Sequence, residues 1–182
     1  MKPPILQGPR VTLRPITLND APTFVRWFSD PAIVRYMLPA IYKISLAKEK
    51  EYIKNVLKNK TDLIFCIISE TGEFIGSTGI HLDSPENKVA GFGIVIGDKK
   101  YWGKGYAGEC IELLGDYVFN KLKYNRWRLT VFVENKKAVK AYLKAGFKKE
   151  GRIRQNMLSR VDNKFHDEYV MSILRAEWAK GH

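Results

Sequence analysis

The run Lys99-Lys100-Tyr101-Trp102-Gly103-Lys104-Gly105-Tyr106-Ala107-Gly108 stands between an apolar stretch that ends at Gly97 and an amphipathic stretch that continues to about Lys121. A glycine pair where a chain turns into a helix lets the backbone approach an anion. The unpaired N–H groups and partial positive charge of the helix start then attract it. The run therefore reads as a phosphate cradle. Upstream, Val89 to Gly97 reads as a strand. Downstream, Ala107, Ile111, Leu114, Tyr117 or Val118, and Leu122 recur at helical spacing from Gly103 to about Lys121, and Arg126 to Val133 is a second buried strand. Strand, glycine turn, helix and strand make one parallel crossover unit.

Working outward, Arg10 to Ile16 alternates as a strand, and Thr17 to Ser29 follows as a helix, with Thr17, Asn19 and Asp20 near its start and Pro31 closing the segment. Ser45 to Lys60 is a second helix. Asp62 to Ser69, the turn Glu70-Thr71-Gly72-Glu73, and Phe74 to Leu82 form a hairpin, and a loop with Pro85 and Asn87 leads back to the strand at Val89. The sheet thus begins as an antiparallel meander. Beyond the crossover, a helix opens at Asn135, a good N-cap, and stops at Gly146; strands over Phe147–Met157 and Phe165–Leu174 follow. With no repeat, linker or compositional break, residues 1–182 are expected to form a single domain. Its class is α+β (α/β): a mixed, mostly antiparallel central sheet of about seven strands, flanked by about four helices, with one parallel βαβ crossover at the glycine turn.

Composition narrows the class further. No apolar run approaches the roughly 20 residues that span a bilayer, and Met1-Lys2-Pro3-Pro4 lacks the apolar centre of a secretory signal. A cytosolic chain without membrane contact is expected, acting as a monomer or homodimer. Cys66 and Cys110 have no CxxC partner or neighbouring histidine, so they read as buried thiols and no metal is expected. The net charge of +12, from 31 Lys and Arg against 19 Asp and Glu, favours acidic partners. Lys48, Lys50, Lys54, Lys58 and Lys60 read as one solvated helix face, whereas the cluster from Lys136 to Lys149 is denser.

The glycines also match a dinucleotide fingerprint, Gly103-x-Gly105-x-x-Gly108, with Glu134 at the end of the next strand. Against that reading, Asp98 to Trp102 separate the strand from the first glycine, and only one crossover unit is present, after about half the chain has formed a meander.

A second motif lies one helix and one strand later, in Asn135-Lys136-Lys137-Ala138-Val139-Lys140-Ala141-Tyr142-Leu143-Lys144-Ala145-Gly146-Phe147. Ala138, Val139 and Tyr142 share one helix face, so Tyr142 points inward, where its hydroxyl needs a partner. With both motifs in this order the chain resembles the GNAT superfamily of N-acetyltransferases over nearly its whole length. The superfamily's acetyl-CoA motif, Gln/Arg-x-x-Gly-x-Gly/Ala, aligns with Lys100 to Gly105. Its Asn-x-x-Ala-x-x-x-Tyr motif, with a following Gly-Phe, aligns with Asn135, Ala138, Tyr142, Gly146 and Phe147. Arg10-Val11-Thr12-Leu13-Arg14-Pro15, Trp27-Phe28-Ser29-Asp30-Pro31 and the tail from His166-Asp167-Glu168-Tyr169 to Trp178 are similar to the RimJ/RimL branch, which acetylates N-termini of ribosomal proteins.

The resemblance implies acetyl-CoA as cosubstrate and direct attack by an amine in a ternary complex. The pyrophosphate would lie on the backbone N–H groups from Gly103 through Lys104, Gly105 and Tyr106 to Ala107, and the pantetheine arm would pair like a strand with Val95 and Ile96. Backbone N–H groups near Val95 would stabilise the oxyanion. Tyr142 would protonate the departing thiolate, and Lys100, Asn135 and Lys144 would contact the cosubstrate. Many relatives carry a candidate base in Ala-Glu-x-Gly, but this chain reads Ala90-Gly91-Phe92-Gly93. His81 is the substitute base named here, with Asp83 beside it and His166 behind it; His182 reads as a frayed terminus.

An α-amine of pKa 7.7 to 8.0 is roughly 10 to 15% neutral at pH 7, against about 0.04% for a lysine side chain, so it needs a weaker base. A protein or peptide N-terminus is therefore the expected acceptor, with ribosome association through the basic surface. A polyamine or aminoglycoside-type acceptor is the enzymatic alternative. Met37 to Lys48, on the acceptor side, contains no acidic residue to meet a polycation. A non-catalytic acyl-CoA-binding or RNA-binding module on the same fold is the alternative of another class.

Overall fold

The computed structural model describes residues 3–37, 43–159 and 161–181. The acceptor-side stretch Met37 to Lys48 lies partly, and His182 wholly, outside the described residues. Among the described residues the sheet has eight strands: β1 (Leu6–Gln7), β2 (Val11–Pro15), β3 (Asp62–Ser69), β4 (Phe74–Ser84), β5 (Val89–Ile96), β6 (Arg126–Phe132), β7 (Lys148–Leu158) and β8 (Phe165–Leu174). Their order across the sheet is β1-β2-β3-β4-β5-β6-β8-β7. Every neighbouring pair is antiparallel except β5 and β6, which run parallel. That parallel pairing lasts three positions only, from Val89 opposite Arg126 to Gly91 opposite Arg128. Beyond Gly91 the two strands splay and leave a slit in the middle of the sheet.

Six α-helices pack on the two faces: α1 (Ala21–Phe28), α2 (Pro31–Val34), α3 (Leu46–Lys58), α4 (Tyr106–Asp116), α5 (Lys136–Lys144) and α6 (Arg175–Gly181). On one face Ile111, Leu114, Tyr142 and Trp178 join Phe92, Trp127 and Phe147 in the larger core. On the other, Phe24, Trp27, Ile53 and Val56 cover Ile64 and Cys66. Each fully buried aliphatic side chain contributes about 1.5 to 3 kcal/mol. Contact is close enough that a Cβ on Gly97 would lie 2.1 Å from the Trp27 ring, and one on Gly115 would lie 2.3 Å from Trp178. Both cysteines are buried and free, and burial pushes their thiols up out of the reactive range.

Three differences from the sequence reading have local causes. The eighth strand is the two-residue β1, which pairs Leu6 with Leu13 and is too short to show a period. Pro31 opens a helix where the sequence reading had it close one: the Asp30 carboxylate accepts the Ala32 N–H at 2.9 Å, and proline's fixed φ suits the first helical position. With the terminal α6 this raises the helices to six. The helix expected from Gly103 begins only at Tyr106, because Gly103 and Gly105 hold φ of +74° and +89°. No described helix is long and apolar enough to cross a membrane.

Candidate active site

At the end of β5 the Asp98 carboxylate accepts the Lys100 N–H at 3.0 Å, starting a single 3-10 turn that delivers the chain to Gly103. Gly105 then forms the N-cap of α4 without any side-chain cap. A Cβ at Gly103 or Gly108 would meet nothing within 4 Å, so space lies open above the helix start. Backbone donors at Tyr106, Ala107 and Gly108 face it with the positive end of the helix dipole, which fits a pyrophosphate. Lys104 is exposed beside them, its Nζ 5.8 Å from the Tyr101 ring. Arg10 and Glu109, which the sequence reading did not place here, brace the turn. Arg10 donates to the Lys104 carbonyl at 3.1 Å and stacks 4.7 Å over the Tyr106 ring, and Glu109 accepts the N–H groups of Arg10 and Val11 at 2.6 and 3.0 Å.

The Lys100 side chain, expected on the phosphates, points elsewhere, as does the side chain of Tyr106, which was expected there only by its backbone N–H. Lys100 Nζ lies 2.5 Å from Glu73 Oε1 on the β3–β4 turn, and its partner is held in place by Tyr101 and Thr71. These hydrogen bonds, that of Lys100 foremost, bring the Glu73 carboxyl down to about 2. The Tyr106 hydroxyl donates to Glu70 at 2.8 Å. Both side chains therefore anchor the cradle to the hairpin, and only the Tyr106 backbone faces the open helix start. Asn135 caps α5, its Oδ1 accepting from the Ala138 N–H at 3.3 Å, and Lys144 is exposed in the last turn of that helix.

The slit is lined by backbone. Gly97 donates to the Ile75 carbonyl at 2.9 Å, which fixes the antiparallel alternation between β4 and β5. Val95, opposite Ser77, is thus turned toward β4, while the N–H and C=O groups of Ile94 and Ile96 face the slit. The sequence reading named Val95 and Ile96 for strand-like pairing; this register offers Ile94 in place of Val95. Trp102 Nε1 already donates to the Ile96 carbonyl at 2.7 Å.

Tyr142 closes one side. Its ring meets Phe92 edge-on with centroids 5.9 Å apart, and burial pushes its hydroxyl up to about 12. Among the described residues this hydroxyl makes no hydrogen bond, and no side-chain oxygen there is both unpartnered and sealed from solvent. The oxygen therefore keeps some contact with solvent.

The other face carries His81. Alternation along β5 turns Gly91 and Gly93 away from Phe92 and Tyr142. His81 Nε2 stands 4.0 Å from where a Cβ on Gly93 would lie and 3.7 Å from one on Gly79. Its Nδ1 is 2.7 Å from Asp62 on β3, so against an ionised Asp62 this nitrogen is the donor, and in the neutral ring the acceptor is Nε2. The position left bare by Gly91 is filled from β4: the Asp83 carboxylate lies 2.8 Å from where its Cβ would be, and 2.8 Å from Arg128 on β6. His166 is engaged by Asp162 at 3.0 Å and by Glu134 at 3.6 Å. Asp62 and Arg128 went unnamed as site residues in the sequence: the first depends on the bulged pairing of β3 and β4, the second on the parallel crossover. No group of three His, Cys, Asp or Glu side chains among the described residues could hold a metal.

The acetyltransferase (GNAT) domain model matches residues 10–148. N-acetyltransferase p20 of Bacillus licheniformis, itself uncharacterized, is 32% identical over 173 residues, covering 93% of this chain and 96% of its own. Spermidine N(1)-acetyltransferase of Escherichia coli is 25% identical over 172 residues, covering 94% and 90%. Among solved structures, spermidine N-acetyltransferase from Vibrio cholerae in complex with CoA and spermine superposes with a TM-score of 0.86 at 24% identity, over 94% of this chain and 99% of that one. A splayed central sheet, an uncapped helix start after a glycine turn and these matches have one explanation: the chain belongs to the GNAT family of acetyl-CoA-dependent N-acetyltransferases.

Proposed function

We propose that the chain acetylates a protein or peptide N-terminal α-amine, a RimJ/RimL-like activity in the cytosol. The observation that carries this reading is the His81–Asp62 pair over the glycine floor, on the sheet face opposite Tyr142. A histidine is a base matched to an α-amine, whose own pKa lies only about one unit higher, and poorly matched to a lysine side chain. His81 Nε2 takes the proton from the ammonium. The Ile94 N–H, facing the slit, stabilises negative charge on the carbonyl oxygen under attack, and the Tyr142 hydroxyl donates to the leaving sulfur from the other side. Gly103, Gly105 and Ala107 seat the phosphates on backbone N–H groups, with Lys104 beside them.

The polyamine reading is favoured by the relatives named for spermidine. On this chain Asp83 is charge-paired with Arg128 and Asp62 is engaged by His81 Nδ1, so among the described residues neither of these carboxylates is left unpartnered for a second ammonium. Exposed Lys136, Lys137, Lys140 and Lys144 on α5 adjoin Lys148, Lys149, Arg152 and Arg154 on edge strand β7, a surface suited to docking on ribosomal RNA. Thiol release from acetyl-CoA with a panel of N-terminal peptides, lysine peptides blocked at the α-amine, spermidine and an aminoglycoside tests the assignment. The peptides with free α-amines should give kcat/KM at least tenfold above the others; spermidine as the best acceptor would overturn it.

A further inference from the structure

Arg128 sits in register with Gly91 on the parallel pair, one strand across the mouth of the slit from the glycine floor. Registered residues of neighbouring strands share a face, so its side chain is on the His81 side of the sheet. Among the described residues the guanidinium makes one ion pair, to Asp83 Oδ2, and its side chain is 43% exposed. A guanidinium has five N–H donors in a fixed fork, so beyond the group turned to Asp83 it has donors for a further acceptor. As a stabilising device so exposed a pair contributes little. Its position matters more. Gly91 lies two residues from Gly93, about 7 Å along the strand, and His81 Nε2 stands over Gly93. A guanidinium held at Asp83 over Gly91 is thus about that interval from the amine that His81 would deprotonate.

We infer that Arg128 is the specificity anchor for the acceptor, hydrogen-bonding the carbonyl oxygen that an N-terminal residue carries next to its α-amine. This rests on the α-amine reading and deepens it. In N–Cα–C=O the oxygen is three bonds from the reacting nitrogen, close enough for one residue to bridge His81 and Arg128. Asp83 holds the fork over the floor and leaves its other donors open. A polyamine has methylenes where that oxygen would be and a second ammonium beyond them, which the guanidinium repels.

The test compares alaninamide with isopropylamine, two acceptors that differ by the carboxamide, in wild type, Arg128→Met and Arg128→Lys. A hydrogen bond from a charged donor to the bound acceptor predicts a loss of about 10- to 100-fold in kcat/KM for alaninamide with Arg128→Met. The loss should lie in KM, because the carbonyl is held equally before and during reaction. Isopropylamine should change less than threefold, Arg128→Lys should recover part of the alaninamide loss, and the Kd for CoA should be unaltered. Equal losses on both amines, or none on alaninamide, would overturn the anchor while leaving the α-amine reading in place. If wild type turns over isopropylamine but not alaninamide, the α-amine reading itself fails and the anchor with it.

Discussion

Replacing Tyr142 with Phe removes one oxygen and should separate chemistry from both binding and folding. The hydroxyl has no hydrogen-bond partner among the described residues and is not sealed from solvent, so its loss strands no buried group. Stability should therefore change by no more than about 1 kcal/mol. Its catalytic contribution follows from its environment. With the phenol raised to about 12 by burial and a thiol near 8.5, complete transfer to the departing sulfur is uphill by roughly 5 kcal/mol. Tyr142 then acts while the carbon–sulfur bond is breaking, as a hydrogen-bond donor that gives up its proton late. We expect kcat to fall about 10²- to 10³-fold, within the range for general acids. The sign of the pH effect is also fixed. The protonated phenol is the active form and a raised pKa preserves it, so the wild-type rate should show no alkaline limb from this group below about pH 11. Thiol release measures kcat, calorimetry measures the Kd for CoA, and urea midpoints measure stability. A kcat loss under tenfold, or a CoA affinity weakened by the same factor as kcat, would refute the reasoning. A wild-type chain that binds CoA and transfers nothing would be the non-catalytic acyl-CoA-binding module.

Two further outcomes test the cradle and the fold. Lys100→Met should change the Kd for CoA less than threefold, because Lys100 is spent on Glu73, whereas Gly105→Val, at a φ of +89°, should weaken it more than tenfold by misplacing the α4 donors; the reverse order would return Lys100 to the phosphates. Glu49 is buried at the start of α3, and burial raises its carboxyl from 4.5 to about 7. A raised carboxyl stabilises fully below pH 4.5 and loses that contribution as pH climbs through 7, so Glu49→Gln should gain about 3 kcal/mol over wild type at pH 8 and almost nothing at pH 4. Urea unfolding at the two pH values checks it, and a gain independent of pH would refute it.

Much of this fold was legible because its signals are local. The meander followed from the apolar stretches on either side of the Glu70–Glu73 turn, and α5 from Asn135 at one end and Gly146, at a φ of +90°, at the other. The cradle could be read from two glycines and a helical period, and Tyr142 from three- and four-residue spacing. Elements of two to seven residues, β1, α2 and α6, escaped because they span too few turns to show a period.

By itself the sequence determined the local parts of the proposed donor side: a glycine turn into an uncapped helix start at Gly103 to Ala107 and an inward tyrosine one helix later, each specified within a few residues of chain. The acceptor side was decided only in three dimensions. Near the turn the hairpin pairs Ile68 with Phe74, a register that would set Asp62 opposite Ile80 and leave His81 on the other face. A bulge between Ile67 and Ile68 shifts the pairing by one residue, so Asp62 falls opposite His81 and the two share a face. Asp83 likewise fills the space that Gly91 vacates, and Arg128 meets it, only because β4, β5 and β6 lie side by side. Cross-strand register couples residues tens of positions apart, and no local period in the chain encodes it.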